Sequence, residues 1–140
     1  MTTPAHHQAI QQRLREAGVQ PTLQRLAVAG VMMERPCHLT AEQVLAAARA
    51  RLPGLSRATV YATLQLFVQH HLLRELVISG AAAVYDSTLA PHHHVYDVDT
   101  GEVRDLPAAC VQVMGLPAFE EGTEVAEVDV VVRVRRRRSA

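Results

Sequence analysis

Apolar residues in the first half of the chain recur at helical spacing. Ile10, Leu14 and Ala17, four and three apart, predict a short amphipathic helix over residues 6–17 that Gly18 ends. Thr22 is the expected N-cap of a second helix, with Leu23, Leu26, Ala27, Gly30, Val31 and Met33 as its apolar face up to Pro36. Thr40, followed three residues later by Gln43, has the spacing of a capping box, in which each side chain takes an otherwise unpaired backbone N–H. The third helix would bury Val44, Leu45, Ala48 and Leu52 and stop at Pro53-Gly54. A fourth starts from Ser56 and buries Val60, Leu64, Phe67 and Val68. The pattern then turns to strands. Residues 72–77 and 82–86 flank Ser79-Gly80 as one hairpin, and residues 95–98 and 102–106 flank Asp99-Thr100-Gly101 as another. Residues 107–114 predict a short helix and 116–122 a connection. Residues 124–134 alternate, with Val128, Val130, Val132 and Val134 on one face, as in a half-buried strand.

Helices followed by a hairpin is the order of a winged helix-turn-helix, and a small sheet with one short helix leaves an edge or face that a partner must cover. The fold class expected is therefore α+β, with a winged-helix module at residues 1–85 and a small α/β dimerisation and metal-sensing module at residues 86–140. Two modules of roughly 70 residues are each marginal alone, and dimerisation would relieve that. The fourth helix carries polar side chains in its first turns. Ser56, Arg57, Thr59, Tyr61 and Thr63 lie off its apolar stripe, as suits a helix whose N-terminal residues meet base edges and phosphates in the major groove. Arg74, on the hairpin, is expected at a phosphate.

Charge is unevenly distributed. Residues 1–80 hold eight arginines against four glutamates, residues 81–132 hold Arg104 against ten acids, and Arg133 with Arg135, Arg136, Arg137 and Arg138 closes the chain. A neutral total conceals a basic first half, the half to test for nucleic acid. The arginine tail reads as a solubilising end. No apolar run reaches the ~18 residues of a membrane span, and the start lacks a signal-peptide pattern, so the expected location is cytoplasmic with no membrane partner. The two cysteines, Cys37 and Cys110, are far apart and read as small hydrophobes in a reducing compartment.

The candidate chemistry lies between Asp86 and Asp105, around His92-His93-His94. Imidazole and carboxylate without thiolate suit Mn, Fe, Co, Ni or Zn. Strand alternation puts His92 and His94 on one face and His93 on the other, where His93 either serves a second, weaker site or faces solvent.

These stretches resemble the ferric uptake regulator (Fur) family over nearly the whole chain. The resemblance rests on Leu14-Arg15-Glu16-Ala17-Gly18-Val19 with Pro21-Thr22-Leu23-Gln24-Arg25, on His38-Leu39-Thr40-Ala41-Glu42, on Ser56-Arg57-Ala58-Thr59-Val60-Tyr61-Ala62-Thr63-Leu64, and on the triple histidine. It implies a homodimer that binds a palindromic DNA operator when a regulatory site holds Mn(II) or Fe(II). That site falls on His38, at the start of the third helix, with Asp86, His92, His94 and Asp105; Arg25 joins the residues expected at DNA. Three histidines and two aspartates are similar to the peroxide-sensing branch, in which oxidation of an iron-site histidine, here His38 or His92, would release DNA. The family's Cys-x-x-Cys pairs are missing, so no structural zinc is expected. Members without it include the iron response regulators, which residues 86–94 and 125–138 also resemble, and which imply haem or iron status as the signal. A metal-dependent hydrolase with Glu102 as base is the alternative from another class; the expectation is that the protein is not an enzyme.

Overall fold

Each helix of the N-terminal unit begins at a hydroxyl that accepts a backbone N–H from its first turn. In this computed structural model, which describes residues 3–139, Thr3 caps α1 (Pro4–Glu16), Thr22 caps α2 (Leu23–Met33), Thr40 caps α3 (Ala41–Arg51) and Ser56 caps α4 (Arg57–Gln69). At α3 the box is reciprocal: the Gln43 amide N–H donates to Thr40 Oγ1 at 3.3 Å, and the Thr40 N–H donates to Gln43 Oε1 at 2.9 Å. Thr40→Ala is expected to destabilise this unit by about 1 kcal/mol, read as a lower urea midpoint at unchanged slope.

The chain divides into two compact units, one up to Leu89 and the other from Ala90. In the first, Leu14, Val28, Met32, Val44, Leu64 and Phe67 are fully buried. The expected faces of α1, α3 and α4 are the faces that pack. On α2 the buried residues are Ala27, Val28, Ala29, Gly30 and Met32, whereas Leu23, at the first position of the helix, is largely exposed. So apolar a segment has no unambiguous stripe, and packing selects its face.

A three-stranded antiparallel sheet completes the unit, in the order β1-β3-β2. The expected hairpin is present, shortened to β2 (Arg74–Leu76) and β3 (Val84–Asp86), with a turn in which Gly80 has φ 81°. The third strand, β1 (His38–Thr40), lies on the far side of β3. His38 is thus a strand residue preceding α3, a correction to its expected place in the helix. The four helices and this sheet, whose first strand comes between α2 and α3, form a winged helix. Tyr85, on the central strand, is buried, and its Oη accepts from Gln65 Nε2 of α4 at 3.1 Å, which ties sheet to helix.

The second unit is a sheet of order β5-β4-β6. β4 (His92–Asp97) and β5 (Val103–Pro107) form the expected hairpin around Gly101, whose φ of 76° suits a residue without Cβ. β6 (Val131–Val134) pairs parallel to β4. The strand expected from residue 124 begins only at Val131: the Val130 carbonyl still accepts the His94 N–H at 3.1 Å, but its own N–H is diverted to the His93 ring Nδ1 at 3.2 Å. The helix expected over residues 107–114 is a single 3₁₀ turn, Ala108–Cys110. Val111 and Val113 are β-branched, Gly115 has φ 77°, and Val113 and Met114 are exposed, so no buried face offsets the cost of nucleating a helix. Among the described residues no helix is long and apolar enough to cross a membrane.

Candidate functional site

In the first unit, strand register brings the candidate ligands together. His38 on β1 is the cross-strand partner of Asp86 on β3, and His38 Nε2 lies 3.1 Å from Asp86 Oδ2. Asp86 is only 1% exposed; its other oxygen, Oδ1, accepts the Thr88 N–H at 2.8 Å and so orients the carboxylate. Arg74 on β2 stands opposite Asp86 on the other side. His38, Asp86 and Arg74 therefore form one row across the sheet, all on one face. Arg74, expected at a phosphate, is half-buried and in register with Asp86.

In the second unit the same device recurs. His94 on β4 is the cross-strand partner of Asp105 on β5, with His94 Nε2 3.9 Å from Asp105 Oδ1. His92, two residues earlier on the same face, places its Nε2 3.0 Å from that oxygen. The His92 and His94 rings meet edge-on at 4.5 Å. His92 Nδ1 lies 2.7 Å from the Ala90 carbonyl oxygen, which can only accept, so the ring donates its Nδ1 proton there. In neutral His92 that leaves a lone pair on Nε2 facing a carboxylate oxygen. Two acceptors at that distance repel unless a proton or a metal cation lies between them. Buried imidazoles with a carboxylate and no thiolate suit Mn(II), Fe(II) or Zn(II). His38, Asp86, His92, His94 and Asp105 each offer one ligand atom of this kind.

His93 is apart from these donors. It points to the other face of β4, and its Nδ1 is taken by the Val130 N–H. Cys37 is half-buried, with Sγ directed at the Met32 carbonyl at 3.6 Å; burial pushes its thiol pKa up, consistent with a small packed hydrophobe. Cys110 is exposed. His70 has a structural role that spacing did not reveal: its Nδ1 donates to the Ala17 carbonyl at 2.8 Å, at the end of α1. Glu102 sits exposed on the second hairpin's turn.

On α4, Arg57 and Tyr61 are exposed on the face expected of a reader. Ser56 and Thr59 spend their hydroxyls on each other, Ser56 Oγ donating to Thr59 Oγ1 at 2.8 Å and accepting the Thr59 N–H at 3.1 Å. Thr63 departs from expectation. It is buried, with its hydroxyl donated to the Thr59 carbonyl at 2.7 Å, because its position on the helix lies beside Val60 and Leu64 and faces inward. Arg25, at the start of α2, donates to the Gln20 carbonyl at 2.9 Å and shares with Thr22, Thr59 and Ala62 a groove of about 380 Å³.

The profile of the ferric uptake regulator family matches residues 16–133. Ferric uptake regulation protein 1 of Mycolicibacterium fortuitum is 32% identical over 120 residues, covering 84% of this chain and 74% of that protein. The peroxide operon regulator of Bacillus subtilis is 32% identical over 92 residues, covering 66% of this chain and 63% of that one. Among solved structures, the ferric uptake regulator from Pseudomonas aeruginosa with manganese superposes with a TM-score of 0.67 at 28% identity, covering 91% of this chain and 97% of that one.

Proposed function

The chain belongs to the ferric uptake regulator family of metal-dependent transcriptional regulators, and from that premise we propose that it is a DNA-binding repressor whose affinity for a palindromic operator depends on Mn(II) or Fe(II) held by His38, Asp86, His92, His94 and Asp105. The observation that carries this reading is the His92 Nε2 to Asp105 Oδ1 approach of 3.0 Å, with the other ring nitrogen already committed to Ala90. A divalent cation satisfies both acceptors at once. His92, His94 and Asp105 have the two-histidine, one-carboxylate composition that suits Fe(II), and His38 with Asp86 offers two further donors.

The second unit is read as the homodimer contact. Val113, Met114, Leu116, Phe119 and Val125 are exposed there, in a segment with little regular structure of its own, as expected of a surface that a second copy covers. Relatives are named as regulators, and Glu102 on an exposed turn is poorly placed as a buried general base, which favours repressor over hydrolase.

Peroxide is the proposed signal. Bound Fe(II) supplies reducing chemistry toward peroxide next to the histidines, which Mn(II) does not. The test is a peptide mass map of Fe(II)-loaded protein before and after brief hydrogen peroxide. An added oxygen on His38 or His92, with Mn(II)-loaded protein unmodified and DNA released only from the iron form, is the expected result. Unmodified histidines would overturn the peroxide reading in favour of a regulator that follows iron or haem status.

A further inference from the structure

Glu42 stands where the two exposed readers of α4 converge. It lies in the first turn of α3, and its Oε1 accepts the Tyr61 hydroxyl at 3.0 Å. The Arg57 guanidinium Nη1 pairs with the same oxygen. Arg57 and Tyr61 are four residues apart on α4, hence on one face, and a single carboxylate reaches both. α4 has no acid in its own first turn, and Arg57 is its first residue, where the positive end of the helix dipole disfavours a cation. Glu42 supplies the missing negative charge from the neighbouring helix. Of the other glutamates in this unit, Glu34 is engaged by both terminal nitrogens of Arg51 at 2.7 Å.

We propose that Glu42 is a specificity-determining residue of the DNA-reading surface, one that holds Arg57 and Tyr61 by its carboxylate and competes with DNA phosphates for them. This rests on the reading of α4 as the helix that meets DNA. Non-specific affinity comes almost entirely from cations that neutralise phosphates. An arginine already paired with a carboxylate contributes less to it, and the carboxylate itself repels the backbone. At the correct operator, base-edge contacts made by the released side chains offset the lost pair. At any other sequence nothing does. Glu42 therefore lowers off-target binding more than operator binding, and it keeps the two side chains ordered until DNA arrives.

The test uses full-length Mn(II)-loaded protein with two duplexes, one selected from a random pool by the wild type and one scrambled. For Glu42→Gln, which keeps an acceptor for Tyr61 and removes the charge, affinity for the scrambled duplex is expected to rise about 1.5- to 5-fold. The plot of log affinity against log salt should steepen by about 0.9, one further phosphate contact. Operator affinity should change less, so discrimination falls. In an Arg57→Ala background the gain should shrink to the part that comes from removing the carboxylate's own repulsion of the backbone, and the salt slope should no longer steepen by a full phosphate contact. Wild-type melting temperature in Glu42→Gln verifies the fold, and Glu42→Asp, which keeps the charge, provides a second variant that should retain the wild-type salt slope. An unchanged slope and scrambled-duplex affinity in Glu42→Gln, or an equal gain with and without Arg57, would overturn the proposal while leaving the reader helix standing. A wild type that selects no sequence from the pool would overturn both.

Discussion

Asp86→Asn is expected to abolish metal-dependent DNA binding while leaving the protein folded. The substitution preserves shape, so the β1-β3-β2 register and the acceptor at Oδ1 for the Thr88 N–H survive. What goes is the negative charge facing His38 Nε2 at 3.1 Å, in a position only 1% exposed. Water cannot screen or replace a carboxylate there, so an ion held by it loses a charged donor outright. Loss of an outer partner of a metal ligand already costs about 10- to 100-fold in affinity, and loss of a ligand should exceed the upper figure. Titration calorimetry with Mn(II), together with DNA retardation at fixed Mn(II), reads the effect, and circular dichroism and gel filtration verify the fold and the dimer. Asp105→Asn is the companion, since its side chain is 45% exposed and its replacement carries little folding risk. Mn(II) affinity within a few-fold of wild type in both variants would remove these aspartates from the site; unfolding of both would make the cluster structural.

Phe67→Ala is expected to destabilise the first unit by about 3–5 kcal/mol, the range for emptying a fully buried aromatic site. Phe67 is completely buried, in a core that also holds Leu14, Val28, Met32 and Leu64. A small unit has only about 5–15 kcal/mol in all, so this single change removes a large share. Urea unfolding followed by far-UV dichroism should show the midpoint fall with little change of slope. DNA binding should fail at temperatures where the wild type still binds, because α4 is a core helix as well as the proposed reader. Excess Mn(II) should recover part of the lost stability through its preference for the folded state. A loss below about 1 kcal/mol would mean that the neighbouring side chains collapse into the cavity.

Much of this was legible along the chain because it is local. A hydroxyl followed at fixed spacing by an apolar stripe specifies where a helix starts and which face it buries, and Thr40 with Gln43 and Ser56 with Val60, Leu64 and Phe67 did so. Glycine turns between alternating runs marked both hairpins. The candidate donors were legible too, since histidines on one strand with aspartates nearby in sequence already restrict the metals that would suit them.

Distance in sequence is what hid the rest. β1 has only three residues, too short for any periodicity, so that His38 faces Asp86 was settled by the pairing of strands nearly fifty residues apart. The pairing of β2 with β3 likewise put Arg74 in register with Asp86. Thr63 looked like a reader by residue type, yet the helix phase fixed by Val60 and Leu64 turned it inward. Residues 124–130 had the alternation of a strand, but a strand needs a ladder, and His93 took the N–H that would have extended it. Nor did any spacing link Glu42 to Arg57 and Tyr61, because that contact needs two helices packed at a given angle. The sequence by itself determined the four capped helices of the first unit and the two hairpins, through short-range hydrogen bonding and burial periodicity. Tertiary structure alone decided which side chains face one another, because register and helix phase are set by packing across the whole unit.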